Sequence, residues 1–301
     1  MTCSPSPGAA AILAICVTGL LTAAPSERVT KHGPAQGDPA PTAPPTYPGF
    51  ALVWADEFSG TGSPDRKNWT YERGFVRNRE LQWYTPDNAR LSGGFLIIEA
   101  RRERVPNPDF EAGSSDWRRH REYADYTSAS LLTRGLHSWQ YGRVEMRARI
   151  DTRPGLWPAF WTLGVNGPWP HNGEIDIMEY YRGTLLANVA WGGPAGARPN
   201  WDIIRKPLES LGDAEWSGKF HVWRMLWDER SIRLSVDDVW MNDIDLDQTV
   251  NQDGSGVNPL RQPHYMLVNL AIGGTSGGDP SATVFPSRLE VDYIRVYQKA
   301  R

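Results

Sequence analysis

The sequence predicts an all-β fold, a sandwich or jelly roll of antiparallel sheets. Apolar and polar residues alternate with a period of two along many segments, which is the pattern of strands with one buried face. Turn clusters of Gly, Pro, Asn, Asp and Ser separate these segments at short intervals. No segment has a long amphipathic helical pattern. Because one curved sheet can grip a linear polymer along its concave face, such a fold also suits a long cleft.

The clearest strand is YGRVEMRARI, where the apolar residues from Val144 to Ile150 alternate with Arg and Glu. Residues 220–227 and 231–238 flank a short polar loop and predict a hairpin. Further strand candidates lie in residues 94–103, 126–135, 155–164, 185–193, 264–274 and 289–298.

The chain of 301 residues predicts one folded domain behind an export signal. Residues 1–24 contain a short apolar run that ends in small residues, as a signal peptide does. Residues 25–48 are rich in Pro, Gly and Ala and predict a linker. The domain then covers residues 49–301. Both cysteines fall in the first segment, so the exported domain would have no disulfide; a lipid anchor at Cys16 is disfavoured by the bulky Ile15 before it.

The composition limits the classes of ligand that the domain can be expected to bind. A net charge of −3 is too small to argue for nucleic acid or an anionic membrane surface. The 14 Trp residues exceed what a core normally needs. They indicate either a stacking surface for sugar rings or a β-protein with large core residues.

Three carboxylates stand out within WPHNGEIDIMEYY, at Glu174, Asp176 and Glu179. On a regular strand Glu174 and Asp176 share a face and Glu179 points the other way. A β-bulge after Asp176, with Met178 as the extra residue, would return Glu179 to the same face. Like charges this close cannot all ionise, so at least one carboxyl pKa is pushed up.

Such an asymmetry is what a retaining glycosidase needs, with carboxyl groups ~5–5.5 Å apart. We assign Glu174 as nucleophile, Glu179 as general acid and later base, and Asp176 as a hydrogen-bond partner of Glu174. Geometry alone does not fix the order of the two glutamates. The alternatives are a solvated acidic strand or a calcium site; the large apolar neighbours argue against both.

At this point the chain resembles glycoside hydrolase family 16. GEIDIMEYY matches the family's E-x-D-x-x-E signature in its bulged, laminarinase-like form, and segments from residue 52 to residue 298 resemble family segments in order. The resemblance implies a β-jelly roll of two curved antiparallel sheets with the acid strand across the concave one. It also implies retaining endo-hydrolysis of a β-linked polysaccharide, without a cofactor for catalysis.

The resemblance also suggests roles for other positions. Trp157 and Trp161 match cleft tryptophans, and Asn78 matches a sugar-contacting Asn, whereas Glu80 in the same segment could be a structural partner of an arginine. It further implies a structural calcium on the convex side, held by two acids together with backbone carbonyls. Those two acids are Glu57 and Asp292.

Two differences from the family pattern bear on which substrate is cleaved. Laminarinases commonly carry histidines where this chain has Leu186 and Ala190, and Asn188 offers a polar group there instead. Residues 105–126 form an insertion with a cationic cluster around Trp117. That cluster could contact an acidic polysaccharide, although solvated surface charge is the simpler interpretation.

We therefore expect a secreted, monomeric endo-glycosidase that cleaves β-1,3 or mixed β-1,3-1,4 glucan by double displacement. The alternatives are hydrolysis of another β-linked polymer, such as an agar-, porphyran- or carrageenan-type galactan, and non-catalytic carbohydrate binding. The expected partner is the polysaccharide, with no nucleic acid and no membrane after signal cleavage.

Overall fold

The computed structural model describes residues 43–212 and 214–300. The predicted signal peptide and residues 25–42 of the predicted linker lie outside the described residues. Within the described ranges, no helix is long and apolar enough to cross a membrane.

The described residues form nineteen strands, which fall into two large sheets and two small ones. The strands are Phe50–Asp56 (β1), Thr70–Tyr71 (β2), Gln82–Tyr84 (β3), Ala89–Ser92 (β4), Phe95–Ala100 (β5), Val105–Pro106 (β6), Tyr123–Ala124 (β7), Tyr126–Ser128 (β8), Ser130–Leu132 (β9), Gly142–Ile150 (β10), Leu156–Gly164 (β11), Glu174–Tyr181 (β12), Thr184–Trp191 (β13), Asn200–Pro207 (β14), His221–Trp227 (β15), Ser231–Val236 (β16), Val239–Asp245 (β17), His264–Ile272 (β18) and Ser287–Lys299 (β19).

Helical structure is confined to single turns in the described residues. These are the 3₁₀ turns Pro86–Asn88, Leu208–Ser210, Trp216–Gly218 and Leu246–Gln248, and the short α-helix Gly274–Gly277 (α1).

The first sheet has the order β17-β16-β15-β10-β19-β5-β4, and β1 also pairs with β19. The second sheet has the order β14-β13-β12-β11-β18-β9-β2. All pairs in these two sheets are antiparallel, whereas β3 and β8 form a small parallel pair. This is the predicted all-β jelly roll.

The main core lies between the two large sheets. Val144, Met146 and Ile294 of the first sheet and Phe160 and Ile175 of the second belong to one buried cluster. Burying an apolar side chain of this size contributes about 1.5–3 kcal/mol, so the cluster fixes how the two sheets face each other.

The opposite face of the second sheet is built differently. A smaller apolar cluster lies there, formed by Leu132, Ala159, Trp161, Tyr265 and Leu267. Between and around these residues the face carries the polar and aromatic side chains of a groove.

The predicted strands are confirmed, including the hairpin β15–β16 around the loop after Trp227. The segment 126–135 is divided into two short strands, β8 and β9. Strand β14 was not predicted, and it forms the edge of the second sheet.

Candidate active site

A groove of about 490 Å³ crosses the outward face of the second sheet. Glu174, Asp176 and Glu179 of β12 lie in its floor. Strands β13 and β14 form one half of the groove, and strands β11 and β18 form the other. The three predicted acids therefore meet in one site.

A β-bulge in β12 puts the three acids on one face. Opposite β13, Asp176 pairs with Asn188 and Glu179 pairs with Leu186, so β12 has one residue more than its partner. Both Ile177 and Met178 point into the main core, which leaves Glu179 on the groove side. The predicted bulge is confirmed.

The position of the extra residue differs from the prediction. Opposite β11, Met178 pairs with Phe160 and Asp176 pairs with Trp161, so Ile177 is the residue without a partner. The prediction of Met178 as the inserted residue is wrong for this side of the strand. Both residues are apolar and fully buried, so the core accepts two consecutive inward side chains.

Two neutral donors hold Glu179. The indole N–H of Trp157 donates to Glu179 Oε1 at 2.8 Å, and Asn188 Nδ2 donates to Glu179 Oε2 at 3.0 Å. The pKa of Glu179 is raised to about 7: burial and the charge of Glu174 raise it, while these hydrogen bonds and the charge of Arg205 oppose the rise.

Glu174 has a different set of neighbours. The indole N–H of Trp169 donates to Glu174 Oε2 at 2.7 Å, and Asp176 contacts the same carboxyl as a hydrogen-bond partner. Burial raises the pKa of Glu174 to about 7, and these hydrogen bonds and the charge of Arg77 favour its ionised form.

Asp176 lies between the two glutamates and is 5% exposed. Burial raises its pKa well above the ordinary range, and the charges of Glu174 and Glu179 add to the rise. Asn188 Nδ2 donates to Asp176 Oδ2 at 3.4 Å. A carboxyl in this position retains its proton and donates it to Glu174.

The three environments separate the acids chemically. Both glutamates have a pKa raised to about 7 and both accept hydrogen bonds, but the charge of Glu174 raises the pKa of Glu179, which favours a proton on Glu179 when Glu174 is ionised. Titratable groups whose surroundings differ in this way are the usual basis of paired acid and nucleophile roles.

The two predicted tryptophans both line the groove but do different things. Trp157 contacts Glu179 as described. The Trp161 indole N–H donates to Asn269 Oδ1 at 2.8 Å, and the guanidinium of Arg77 lies 5.0 Å from the centre of a Trp161 ring. Each tryptophan is only 8% exposed.

Asn78 also lines the groove, in a left-handed backbone conformation with φ 55°. Its carbonyl accepts from the Thr275 N–H at 2.9 Å, which ties the loop to α1. Glu80 is buried and accepts from Gln82 Nε2 at 2.7 Å. Glu80 also lines the groove, and its side-chain donors are Gln82 and Asn78 instead of the predicted arginine. The sugar contact of Asn78 stays a prediction.

Asn188 was predicted to bind substrate. In the structure it is 2% exposed, and its amide nitrogen faces the two acids. This arrangement supports a role in positioning Glu179. Its substrate contact stays a prediction.

The two acids implied to hold calcium each face an arginine. Glu57 accepts from Arg295 through both carboxylate oxygens at 2.7 Å, and Asp292 accepts from Arg147 at 2.6 Å. No cluster of three or more His, Cys, Asp or Glu suited to a metal occurs among the described residues. Because calcium takes a cage of oxygen ligands, the present arrangement of Glu57 and Asp292 does not fit one.

The cationic insertion packs beside the groove loop. Arg121 Nη2 donates to the Glu80 carbonyl at 2.8 Å, and its guanidinium lies 3.7 Å from the centre of the Phe75 ring. Arg118 donates to the Val76 carbonyl at 3.0 and 3.2 Å. These two arginines thus support the loop that bears Asn78, which neither interpretation of the insertion anticipated.

Among the described lining residues, five charged or aromatic ones were not assigned from the sequence: Arg77, Trp169, Tyr181, Trp201 and Arg205. Trp169 could have been assigned from the sequence, since it lies five residues before Glu174. Trp201 and Arg205 belong to β14, so missing that strand meant missing both.

The comparisons with known proteins show the family of the chain. The model of glycosyl hydrolases family 16 matches residues 113–295. The chain belongs to glycoside hydrolase family 16. It is therefore a glycoside hydrolase, as predicted.

Among family 16 relatives, a β-glucanase of Rhodothermus marinus is 37% identical over 83% of this chain and 86% of its own length. Glucan endo-1,3-β-glucosidase A1 of Niallia circulans is 32% identical, and the match covers 85% of this chain and 39% of that longer protein. A keratan-sulfate endo-1,4-β-galactosidase of Sphingobacterium multivorum is 26% identical, over 83% of this chain and 55% of its length.

Solved family 16 structures show the same fold. One comes from work on endo-acting O-glycanases with which human gut bacteria initiate mucin breakdown; it has a TM-score of 0.77 and 36% identity, over 85% of this chain and 94% of the other. A non-specific endo-β-1,3(4)-glucanase has a TM-score of 0.68 and 36% identity, over 87% and 95%.

Proposed function

We propose that this family 16 hydrolase is a retaining endo-glycosidase that cleaves β-1,3 or mixed β-1,3-1,4 glucan. The observation that carries the proposal is the bulge in β12. It brings Glu174 and Glu179 to the same side of the strand, where both accept hydrogen bonds and the charge of Glu174 favours a proton on Glu179.

In the first step Glu179 gives its proton to the oxygen of the scissile glycosidic bond. That bond breaks, the leaving sugar departs as an alcohol, and Glu174 forms an ester bond to the anomeric carbon. Asp176 donates its proton in a hydrogen bond to Glu174, and the Trp169 indole N–H, at 2.7 Å, holds the other side of that carboxylate in place.

In the second step the ionised Glu179 acts as a base. It takes a proton from water, the water oxygen attacks the anomeric carbon, and the ester bond to Glu174 breaks. The hydrogen bonds from Trp157 and Asn188 stabilise Glu179 in this ionised state. Two displacements at one carbon retain its configuration.

The glucan assignment is supported by the relatives named as glucanases and by the indole rings in the groove. Sugar rings present apolar faces on which indoles stack, and the groove has four tryptophans among its described lining residues: Trp157, Trp161, Trp169 and Trp201.

A second candidate is hydrolysis of a galactose-containing β-linked glycan. Leu186 and Ala190 favour it, since they remove polar side chains from the half of the groove where laminarinases commonly carry histidines. A galactosidase and a structure from work on mucin-degrading O-glycanases are among the matches. The third possibility, carbohydrate binding without catalysis, is opposed by the three intact acids.

We further propose that the enzyme is exported, acts as a monomer and needs no cofactor for catalysis. The apolar segment within residues 1–24 motivates the proposal of export. N-terminal sequencing of the protein recovered from the medium of an expressing host tests it, because an intact N-terminus on cell-retained protein would contradict export.

The substrate is tested with a panel of laminarin, mixed-linkage glucan, agarose, porphyran, carrageenan and keratan sulfate, with products sized. We expect reducing ends and intermediate oligosaccharides from the first two, and no release by Glu174→Gln. Proton NMR of the first product should show the β-anomer before mutarotation. An α-anomer would exclude the retaining mechanism, and binding without cleavage across the panel would exclude the enzyme.

A further inference from the structure

The edge strand β14 extends the rows of side chains that contain the catalytic acids. Trp201 pairs with Ala190, which pairs with Glu174. Arg205 pairs with Leu186, which pairs with Glu179. Trp201 and Arg205 therefore lie in line with the two catalytic glutamates, two strands away, or ~10 Å at the usual strand spacing.

Strand β13, between the acids and β14, presents little that could hold a sugar. Ala190 and Leu186 are buried, and Asn188 directs its amide nitrogen to the acids. Apart from Asn188, the polar and aromatic groove side chains beyond the acids in this half are Tyr181 of β12 and Trp201 and Arg205 of β14.

Trp201 offers a stacking surface. Its side chain is 39% exposed, in contrast to the largely buried Trp157 and Trp161, and it lines the groove. An indole on a strand, with no apolar cluster covering it, is suited to the apolar face of a sugar ring.

Arg205 offers a charge. Its side chain is exposed and lines the groove, and within residues 43–212 and 214–300 it forms no ion pair with a carboxylate. The groups that face it are the Tyr181 hydroxyl and, further off, Glu179. A guanidinium binds sulfate or carboxylate through two parallel hydrogen bonds.

We propose that Trp201 and Arg205 form a subsite for a sugar residue that carries an acidic substituent, a sulfate or a carboxylate. The sugar lies about two residues from the scissile bond, in the half of the groove formed by β13 and β14. This inference rests on the proposed function, because it specifies the substrate of the same site.

The test compares laminarin with two derivatives of it, one partly sulfated and one with some primary hydroxyls oxidised to carboxylates. Affinity is measured by calorimetry with full-length Glu174→Gln, so that binding is scored without hydrolysis. Keratan sulfate and its desulfated form make the same comparison for the second candidate substrate. Cleavage of each polymer by the unsubstituted enzyme is measured in parallel, so failure of the proposed function is recorded separately.

We expect an acidic derivative to bind about tenfold more tightly than its neutral parent, and Arg205→Met to remove that preference. The derivative that shows it identifies sulfate or carboxylate. The control is Lys206→Met, which removes the same charge one residue along β14, where the side chain faces away from the groove and donates to the Trp240 carbonyl at 2.6 Å. Trp201→Ala should weaken neutral and acidic ligands alike.

Three results would overturn the proposal. The first is equal affinity for neutral and acidic forms, and the second is absence of binding to every polymer. The third is a loss of activity in Arg205→Met that is the same for all substrates and comes with a higher alkaline pKa in the pH profile. That last result would show that Arg205 acts only through the charge of Glu179.

Discussion

The indole of Trp157 on β11 donates its N–H to Glu179 Oε1 on the adjacent strand β12, at 2.8 Å. The donor stabilises the ionised form of Glu179 and so limits how far burial raises its pKa. The pKa of the general acid in the proposed mechanism is thus influenced by an aromatic residue for which the sequence predicted only a place in the cleft.

Trp157→Phe should shift the alkaline limb of the kcat/KM profile to higher pH by about one unit. The ionised carboxylate of Glu179 loses a charge-assisted hydrogen bond, so the pKa of Glu179 rises. The profile is measured on the best substrate of the panel. Trp161→Phe is the control, since the Trp161 N–H donates to Asn269 instead. If the alkaline limb of the Trp157→Phe profile stayed at the same pH, this hydrogen bond would not influence the pKa of the general acid.

Asn188→Leu should also shift the alkaline limb of the kcat/KM profile to higher pH, and it should lower kcat about tenfold. It removes the donor to Glu179 and Asp176 while keeping a similar volume. If instead KM rises and the limb stays in place, Asn188 contacts substrate, as the sequence predicted.

The order of the two glutamates can be fixed by chemical rescue with azide. Glu179→Ala should lose about 10²–10⁴-fold in rate and, with azide, yield a glycosyl azide of retained configuration. Glu174→Ala should yield the inverted azide, because azide takes the place of the nucleophile. NMR of the products distinguishes the two, and Glu209→Gln, on an exposed turn, serves as control. Exchanged configurations would reverse the assignment.

The buried acids should make stability fall as pH rises. Burial raises the folded-state pKa of Glu174 from 4.5 to about 7, so its neutral form is favoured in the folded protein. Its contribution is fully present below about pH 4.5 and is lost as pH rises through about 7.

Glu174→Gln should therefore raise the free energy of unfolding at pH 8 by about 1–3 kcal/mol. The carboxyl opens onto the groove, and solvent screening keeps the gain at the lower end. Urea unfolding at pH 4 and pH 8 measures the effect. An equal change at both pH values would assign it to packing instead of charge.

Arg121→Met should loosen the loop that bears Asn78, because it removes the hydrogen bond to the Glu80 carbonyl and the contact with Phe75. We expect KM to rise several-fold with kcat little changed, and proteolysis near residue 77 to become faster. Arg119→Met is the control, since Arg119 pairs with Glu111 within the insertion at 2.9 Å. Identical behaviour of the two variants would exclude support of the loop.

The sequence predicted the parts of the fold in which alternation is regular. Apolar and polar residues alternate along β10 from Val144 to Ile150, and buried and half-buried residues alternate along β15. The acids of β12 indicated the bulge because their spacing breaks the period of two. The chemistry of Glu174 and Glu179 followed from that irregularity.

Other parts depend on contacts between distant segments. β14 has the sequence NWDIIRKP, in which charged residues and a terminal Pro hide the alternation, as is common for edge strands. Arg121 touches Phe75 and the Glu80 carbonyl across about forty residues of sequence, and no local pattern reveals such a pair.

The bulge in β12 has a consequence for the quality of folded preparations. Ile177 and Met178 both enter the core, and only in this register do the three acids share the groove face. A slip of one residue would exchange the two faces of the strand, giving a chain with much of its β-structure and no catalytic centre. Specific activity per mole of folded protein therefore reports strand register, which circular dichroism cannot detect.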